Sequence, residues 1–166
     1  MSTKPTFVLV PGNFLPPTYY AGVAKLLEFH SFSTQFVKIA STGSSVPLTS
    51  NEPDIAAVRA TVENLSNDGK EIILVAHSYA STPTCEAVKG FGKQERNELG
   101  KRGGVVKLIF VAAWLMKEGE SPPDLIGRYN IDGSWARFDV RVHEIFKSIS
   151  SFWANCASLY QCEGHS

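Results

Sequence analysis

Short, continuously apolar runs alternating with helix-period segments constrain this chain more than any other feature. Phe7-Val8-Leu9-Val10 stops at Pro11-Gly12, Ile72-Ile73-Leu74-Val75 repeats the pattern, and residues 105–112 are expected as a further strand. Such runs lack the in-out alternation of a sheet with one wet face, so they read as parallel strands covered by helices on both sides. Helical patterns lie between them. Tyr20, Val23, Ala24 and Leu27 share one face of a helix from about residue 18. Ile55, Val58, Val62 and Leu65 share one face of a second helix, opened by Pro53-Asp54 and ended by Asn67-Asp68-Gly69. Phe36-Val37-Lys38-Ile39 is expected as a further strand, and residues 81–91 as a helix followed by a polar stretch. Strand and helix in alternation specify an α/β fold: an open, mostly parallel sheet with flanking helices.

The chain has 166 residues, enough for one domain that buries roughly 70% of its unfolded surface. The α/β core is expected over about residues 5–114. A segment rich in Gly, Pro and Asp (115–139) follows it, then an irregular or helical tail (140–166) with Val142, Ile145, Phe146 and Ile149 near one face. Sixteen basic residues balance 16 acidic ones, which argues against a nucleic-acid or membrane-surface partner, because phosphate binding needs clustered positive charge. No apolar run is long enough to span a bilayer. Residues 1–6 are polar and the first apolar run is too short for a signal peptide, so a cytoplasmic location is expected. Three cysteines, an odd number, predict no disulfide framework there, and the sequon Asn64-Leu65-Ser66 should be idle.

The chemistry concentrates at Val75-Ala76-His77-Ser78-Tyr79-Ala80. A serine just beyond a buried strand, with a small residue two positions away on either side and a helix after it, has the pattern of a nucleophile elbow. The turn is so tight that positions 76 and 80 lie against neighbouring backbone; both are Ala here, where Gly is commoner. The hexapeptide alone fits equally a serine that caps a helix. Its context favours the elbow, because Pro11-Gly12-Asn13-Phe14 follows the first strand and can offer the amide of Asn13 or Phe14 to an oxyanion. Phe14 and Trp114 are candidates to line a substrate pocket, with core or lid packing as the competing explanation. No glycine fingerprint for a dinucleotide or phosphate is present, so no cofactor is expected. Cys156, Cys162 and His165 lack the spacing and the fourth ligand of a zinc site, so no metal is expected either.

Several segments occur in register and in order: Phe7 to Gly12, Asp-Ile-Ala-Ala-Val-Arg at 54–59, Val75 to Tyr79, Pro83, Gly100-Lys101-Arg102-Gly103-Gly104-Val105 and Glu118-Gly119-Glu120-Ser121. Together they resemble the α/β-hydrolases, and within them the fungal relatives of the plant methylesterase and hydroxynitrile-lyase group. The resemblance covers roughly residues 5 to 139. It implies a serine nucleophile at Ser78, oxyanion donors at the main-chain amides of Asn13 and Tyr79, and a lid that begins after Ala113. It also implies an ester or lactone of a small molecule as substrate, in an accessory step of fungal secondary metabolism.

In this family the acid and the histidine of the triad follow the serine, after further strands. The chain ends before such strands appear, so a C-terminally shortened α/β-hydrolase fold is expected. Asp139 is the candidate acid, with Asp124 and Asp132 nearby; none ends an apolar strand, and each reads more simply as a lid or loop carboxylate. His165, in Gly164-His165-Ser166, resembles the family's histidine turn and is the candidate base, against the simpler reading of a frayed terminal residue. His143 reads as a surface or lid residue, His77 as structural, and His30 as the cation at a helix C-terminus. Two functions follow: a serine ester hydrolase, or an inactive shortened homologue that binds a small apolar ligand. The strand at 105–112 should present an apolar edge open to self-association unless residues 140–166 cover it.

Overall fold

The structure is a computed structural model and describes residues 4–46, 48–117, 120 and 122–130. Four strands, β1 (Thr6–Val10), β2 (Ser33–Phe36), β3 (Glu71–His77) and β4 (Gly104–Val111), form a parallel sheet in the order β2-β1-β3-β4. The helices are α1 (Ala21–Phe29), α2 (Glu52–Asn67), α3 (Ser81–Ala87), α4 (Lys93–Glu98) and α5 (Pro122–Arg128). The chain steps from β1 outward to β2, then returns to place β3 on the other flank of β1. The order therefore reverses between β1 and β3, and the crevice beyond their carboxyl ends is where open α/β sheets bind ligands.

The core lies between one face of the sheet and α2 and α3. Val8 and Val10 of β1, Ile72, Leu74 and Ala76 of β3 and Val58 and Val62 of α2 are essentially inaccessible to solvent and form one cluster. Each buried Val, Ile or Leu contributes about 1.5–3 kcal/mol from its apolar area. The apolar stripe expected at Ile55, Val58, Val62 and Leu65 is this contact, with Ile55 and Leu65 at its half-buried margins. The opposite face is thinner. Ile73 and Val75 are half-buried there. On α1 only Ala24 is buried, and Val23, expected to face inward, is 49% exposed. Among the described residues, the two-sided cover inferred from the apolar runs is complete on one side only.

Three boundaries differ from those read in the sequence. Strand β2 is the polar Ser33–Phe36, and the apolar residues that follow it mark its exit: Val37 donates its amide to the Leu9 carbonyl at 3.0 Å, and Val37 and Ile39 drop into the core. An edge strand has one solvated flank, which lowers its need for apolar residues. Helix α3 stops at Ala87 because the chain turns through Gly90, at φ 80°, and the Phe91 carbonyl then accepts the Val105 amide at 2.8 Å. The polar stretch contains α4, held by Arg96, whose buried guanidinium donates to the carbonyls of Gly103 at 3.3 Å and Arg102 at 3.2 Å. No helix among the described residues is long and apolar enough to cross a membrane.

Candidate active site

Backbone strain marks the carboxyl edge of the sheet. Among the described residues five non-glycine residues have positive φ, and three of them lie beyond the carboxyl ends of strands that run side by side: Ser78 (53°) and Ala112 (44°) directly after β3 and β4, and Phe14 (66°) in the loop after β1. Each such conformation costs about 1–3 kcal/mol and persists only where the surroundings impose it, which makes its clustering informative about function.

Ser78 is the first residue after β3 and opens a 3-10 turn, Ser78–Ala80, that leads straight into α3. Ala76 and Ala80 on either side are fully buried, as the steric reading of the turn requires. The turn is locked from within, for the Ser81 hydroxyl lies 2.9 Å from both the Ser78 carbonyl oxygen and the Trp114 carbonyl oxygen. It has one proton to share between them, so it ties the elbow to the segment that leaves β4. Trp114 is half-buried at this junction.

Parallel pairing sets Val10 opposite Ala76, which brings the loop after β1 alongside the elbow. Gly12 is buried there, and a Cβ built on it would stand 3.1 Å from the Ser78 Cβ and 2.8 Å from His77 Nδ1. Glycine at 12 is therefore needed for the close approach of the two loops. Gly12 accepts the Leu15 amide at 3.2 Å, closing a tight turn through Asn13 and Phe14. The Phe14 amide is engaged by Asn13 Oδ1 at 3.1 Å. Of the two donors considered from the sequence, the main-chain amide of Asn13 is the one that this bond leaves free. The Phe14 ring is 82% exposed and stands at the rim. Tyr79 is the second residue of a helical turn, where a main-chain amide has no acceptor within the helix.

His77 extends β3 and turns its ring toward Tyr20, centroid to centroid 6.0 Å, as expected of a structural residue beside the elbow. His30 is the C-cap of α1. Among the described residues no imidazole or carboxylate is hydrogen-bonded to the Ser78 hydroxyl. Asp132, Asp139, His143 and His165 lie outside the described residues, as do Cys156 and Cys162, and Asp124 sits in the first turn of α5. No group of three or more potential metal ligands occurs among the described residues.

One participant escaped the sequence reading. The Tyr79 hydroxyl donates to Asp54 Oδ2 at 2.9 Å, and Asp54 Oδ1 accepts the Ser41 amide at 2.8 Å. Asp54 is wholly buried in the first turn of α2. Burial, and then the neighbouring Asp54 carboxylate, push the Tyr79 phenol far above its ordinary value near 10. The signal lay in an aspartate at the helix start that the apolar stripe left unexplained.

The chain is 32% identical over 127 residues to a probable hydrolase of a Phoma species, and 31% identical over 118 residues to an alpha/beta hydrolase of Aspergillus novofumigatus. These matches take in 75% and 71% of this chain but 49% and 46% of the relatives, so the chain spans about half the length of the curated relatives it matches. An extracellular alpha/beta-hydrolase from a Paenibacillus species, described as sharing structural and functional homology with tobacco salicylic acid binding protein 2, superposes with a TM-score of 0.53. That likeness covers 80% of this chain and 52% of the other at 16% identity, and it speaks to the fold alone. No family model matches the chain.

Proposed function

The chain belongs to the α/β-hydrolase superfamily, and from that premise we propose that it is a serine hydrolase of small-molecule esters or lactones, with Ser78 as nucleophile. The observation that carries the proposal is the strained Ser78, at φ 53°, on a turn pressed against Gly12 at the reversal point of the sheet. A serine held there is exposed to a carbonyl from the carboxyl side of the sheet. Its oxygen adds to the acyl carbon, its proton passing to a base, and the main-chain amides of Asn13 and Tyr79 stabilise the oxyanion. Collapse expels the alcohol, and water then releases the acid from the acyl-serine. His165 is the base that the resemblance offers, and Asp139 is the candidate acid. Phe14 at the rim and Trp114 behind the elbow would flank the acyl or ring portion. An accessory step in fungal secondary metabolism rests on the resemblance and fits the fungal hydrolases among the relatives.

The test is labelling with a serine-directed fluorophosphonate, mapped by peptide mass, together with hydrolysis of p-nitrophenyl acetate. Label confined to Ser78, and hydrolysis abolished in Ser78→Ala, is the expected result. Equal hydrolysis by the two proteins would remove the proposal. Substrate class is then read by comparing open-chain esters with lactones of the same acyl length.

A further inference from the structure

We infer that Asp54 is a positioning residue for the nucleophile turn, acting through the Tyr79 side chain on the Tyr79 main-chain amide; this rests on the reading of Ser78 as nucleophile. A serine does not favour the left-handed conformation that Ser78 adopts, so the turn around it has to be held. The Ser81 hydroxyl secures the Ser78 carbonyl side of the turn. The Tyr79 N–H belongs to that same peptide, whose other end, the Tyr79 Cα, takes a second restraint.

Tyr79 supplies it from the far end of its ring. Its hydroxyl is fixed at 2.9 Å to a carboxylate 25 positions earlier in the chain, so the phenol, with only two rotatable bonds, dictates where its Cα and amide stand. Asp54 is itself immobile. It is 0% exposed, it sits in the first turn of α2 where the helix dipole favours an anion, and its second oxygen is taken by the Ser41 amide at 2.8 Å. One carboxylate thus joins α2, the loop after β2 and the elbow. An apolar side chain at this place would leave the Ser41 amide and the Tyr79 hydroxyl without an acceptor. The carboxylate holds both, and a charge-assisted hydrogen bond is shorter and more directional than a packing contact.

The experiment compares wild type with Tyr79→Phe, Asp54→Asn, the double variant and Ser78→Ala in second-order fluorophosphonate labelling and p-nitrophenyl acetate hydrolysis. Folded fraction is followed by near-UV circular dichroism. Tyr79→Phe keeps the ring volume and carries the test even where Asp54→Asn fails to fold. The expected result is a fall of about 10- to 100-fold in labelling rate and in kcat for each folded variant, with KM unchanged and the label still on Ser78. The double variant should be no slower than the slower single one, because both substitutions cut the same link. A folded Tyr79→Phe that labels at the wild-type rate overturns the inference, as does a loss that only tracks folded fraction. Failure of wild type to label at Ser78 is a different outcome, and it overturns the nucleophile reading itself.

Discussion

Gly12 and Ser78, the residues just beyond two neighbouring parallel strands, stand so close that a methyl group on Gly12 would lie 3.1 Å from the Ser78 Cβ. The same methyl would meet His77 Nδ1 at 2.8 Å, closer than real Cβ atoms come, so His77 or the loop must move. His77 has little freedom to do so, with the Tyr20 ring against it and its Nδ1 buried. Gly12→Ala should therefore push the loop after β1 away from the elbow. The expected outcome is a stability loss of about 1–3 kcal/mol, typical of overpacking. Fluorophosphonate labelling should fall about 10-fold or more, because the Asn13 amide moves off its position. A melting curve and a labelling time course check both, and unchanged labelling would show that the loop takes no part.

Strain at Ser78 makes a contrasting prediction. The proposed chemistry needs the hydroxyl, yet the backbone at φ 53° suits glycine better than any residue with a Cβ. Ser78→Gly should abolish labelling and stabilise the fold by up to about 1 kcal/mol, the relief of strain less the extra chain entropy of glycine. Ser78→Ala should abolish labelling without that gain. Chemical denaturation of the three proteins separates the cases, and a glycine variant less stable than the alanine variant would count against strain at the turn.

Tyr79 gives the pH dependence. Burial and the nearby Asp54 carboxylate raise its phenol well above 10, so the native state holds this proton where the unfolded state has lost it. Stability drawn from the Tyr79–Asp54 bond is then fully present below pH 10 and declines as pH climbs from 10 toward the folded-state value. Of the five tyrosines in the chain, Tyr79 should be silent in a spectrophotometric titration of the native protein up to the onset of alkaline unfolding. Tyr79→Phe should leave the native titration amplitude unaltered, whereas a reduced amplitude would show that the Tyr79 phenol ionises normally.

Much of this arrangement was legible in the sequence because it rests on local pattern. The runs at 7–10, 72–75 and 105–112 became β1, β3 and β4, and the stripe Ile55, Val58, Val62, Leu65 became the buried side of α2. The elbow was legible for the same reason, since Ala76 and Ala80 report steric crowding directly. What was hidden depends on partners far along the chain. β2 is polar because it is an edge, so the apolar Val37 and Ile39 beside it attracted the strand assignment. α4 has no apolar stripe, and its one buried side chain, Arg96, is held by carbonyls that no periodicity announces. The Asp54–Tyr79 bond spans 25 positions between two helical turns, and only three-dimensional proximity reveals it.

The last prediction concerns β4, which is the outermost strand in the sheet order and, among the described residues, has its free flank met only by a bridge between Gly92 and Val105. A register shift at Val106 bends the strand at its start, and Lys107 places a charge in the middle, both features that discourage edge pairing. Among the described residues neither feature recurs beyond Lys107, where Ile109 is half-buried and Val111 is 45% exposed. This carboxyl half should be the sticky part of the edge. Val111→Lys should lower the self-association seen by sedimentation velocity at micromolar concentration, with stability changed by less than about 0.5 kcal/mol because the side chain already faces solvent. Val106→Lys should do less, since the bend and the Gly92 bridge already disfavour pairing at that end. Equal association in wild type and Val111→Lys would place the adhesive surface elsewhere, with the exposed Leu26 and Phe29 of α1 as the next residues to substitute.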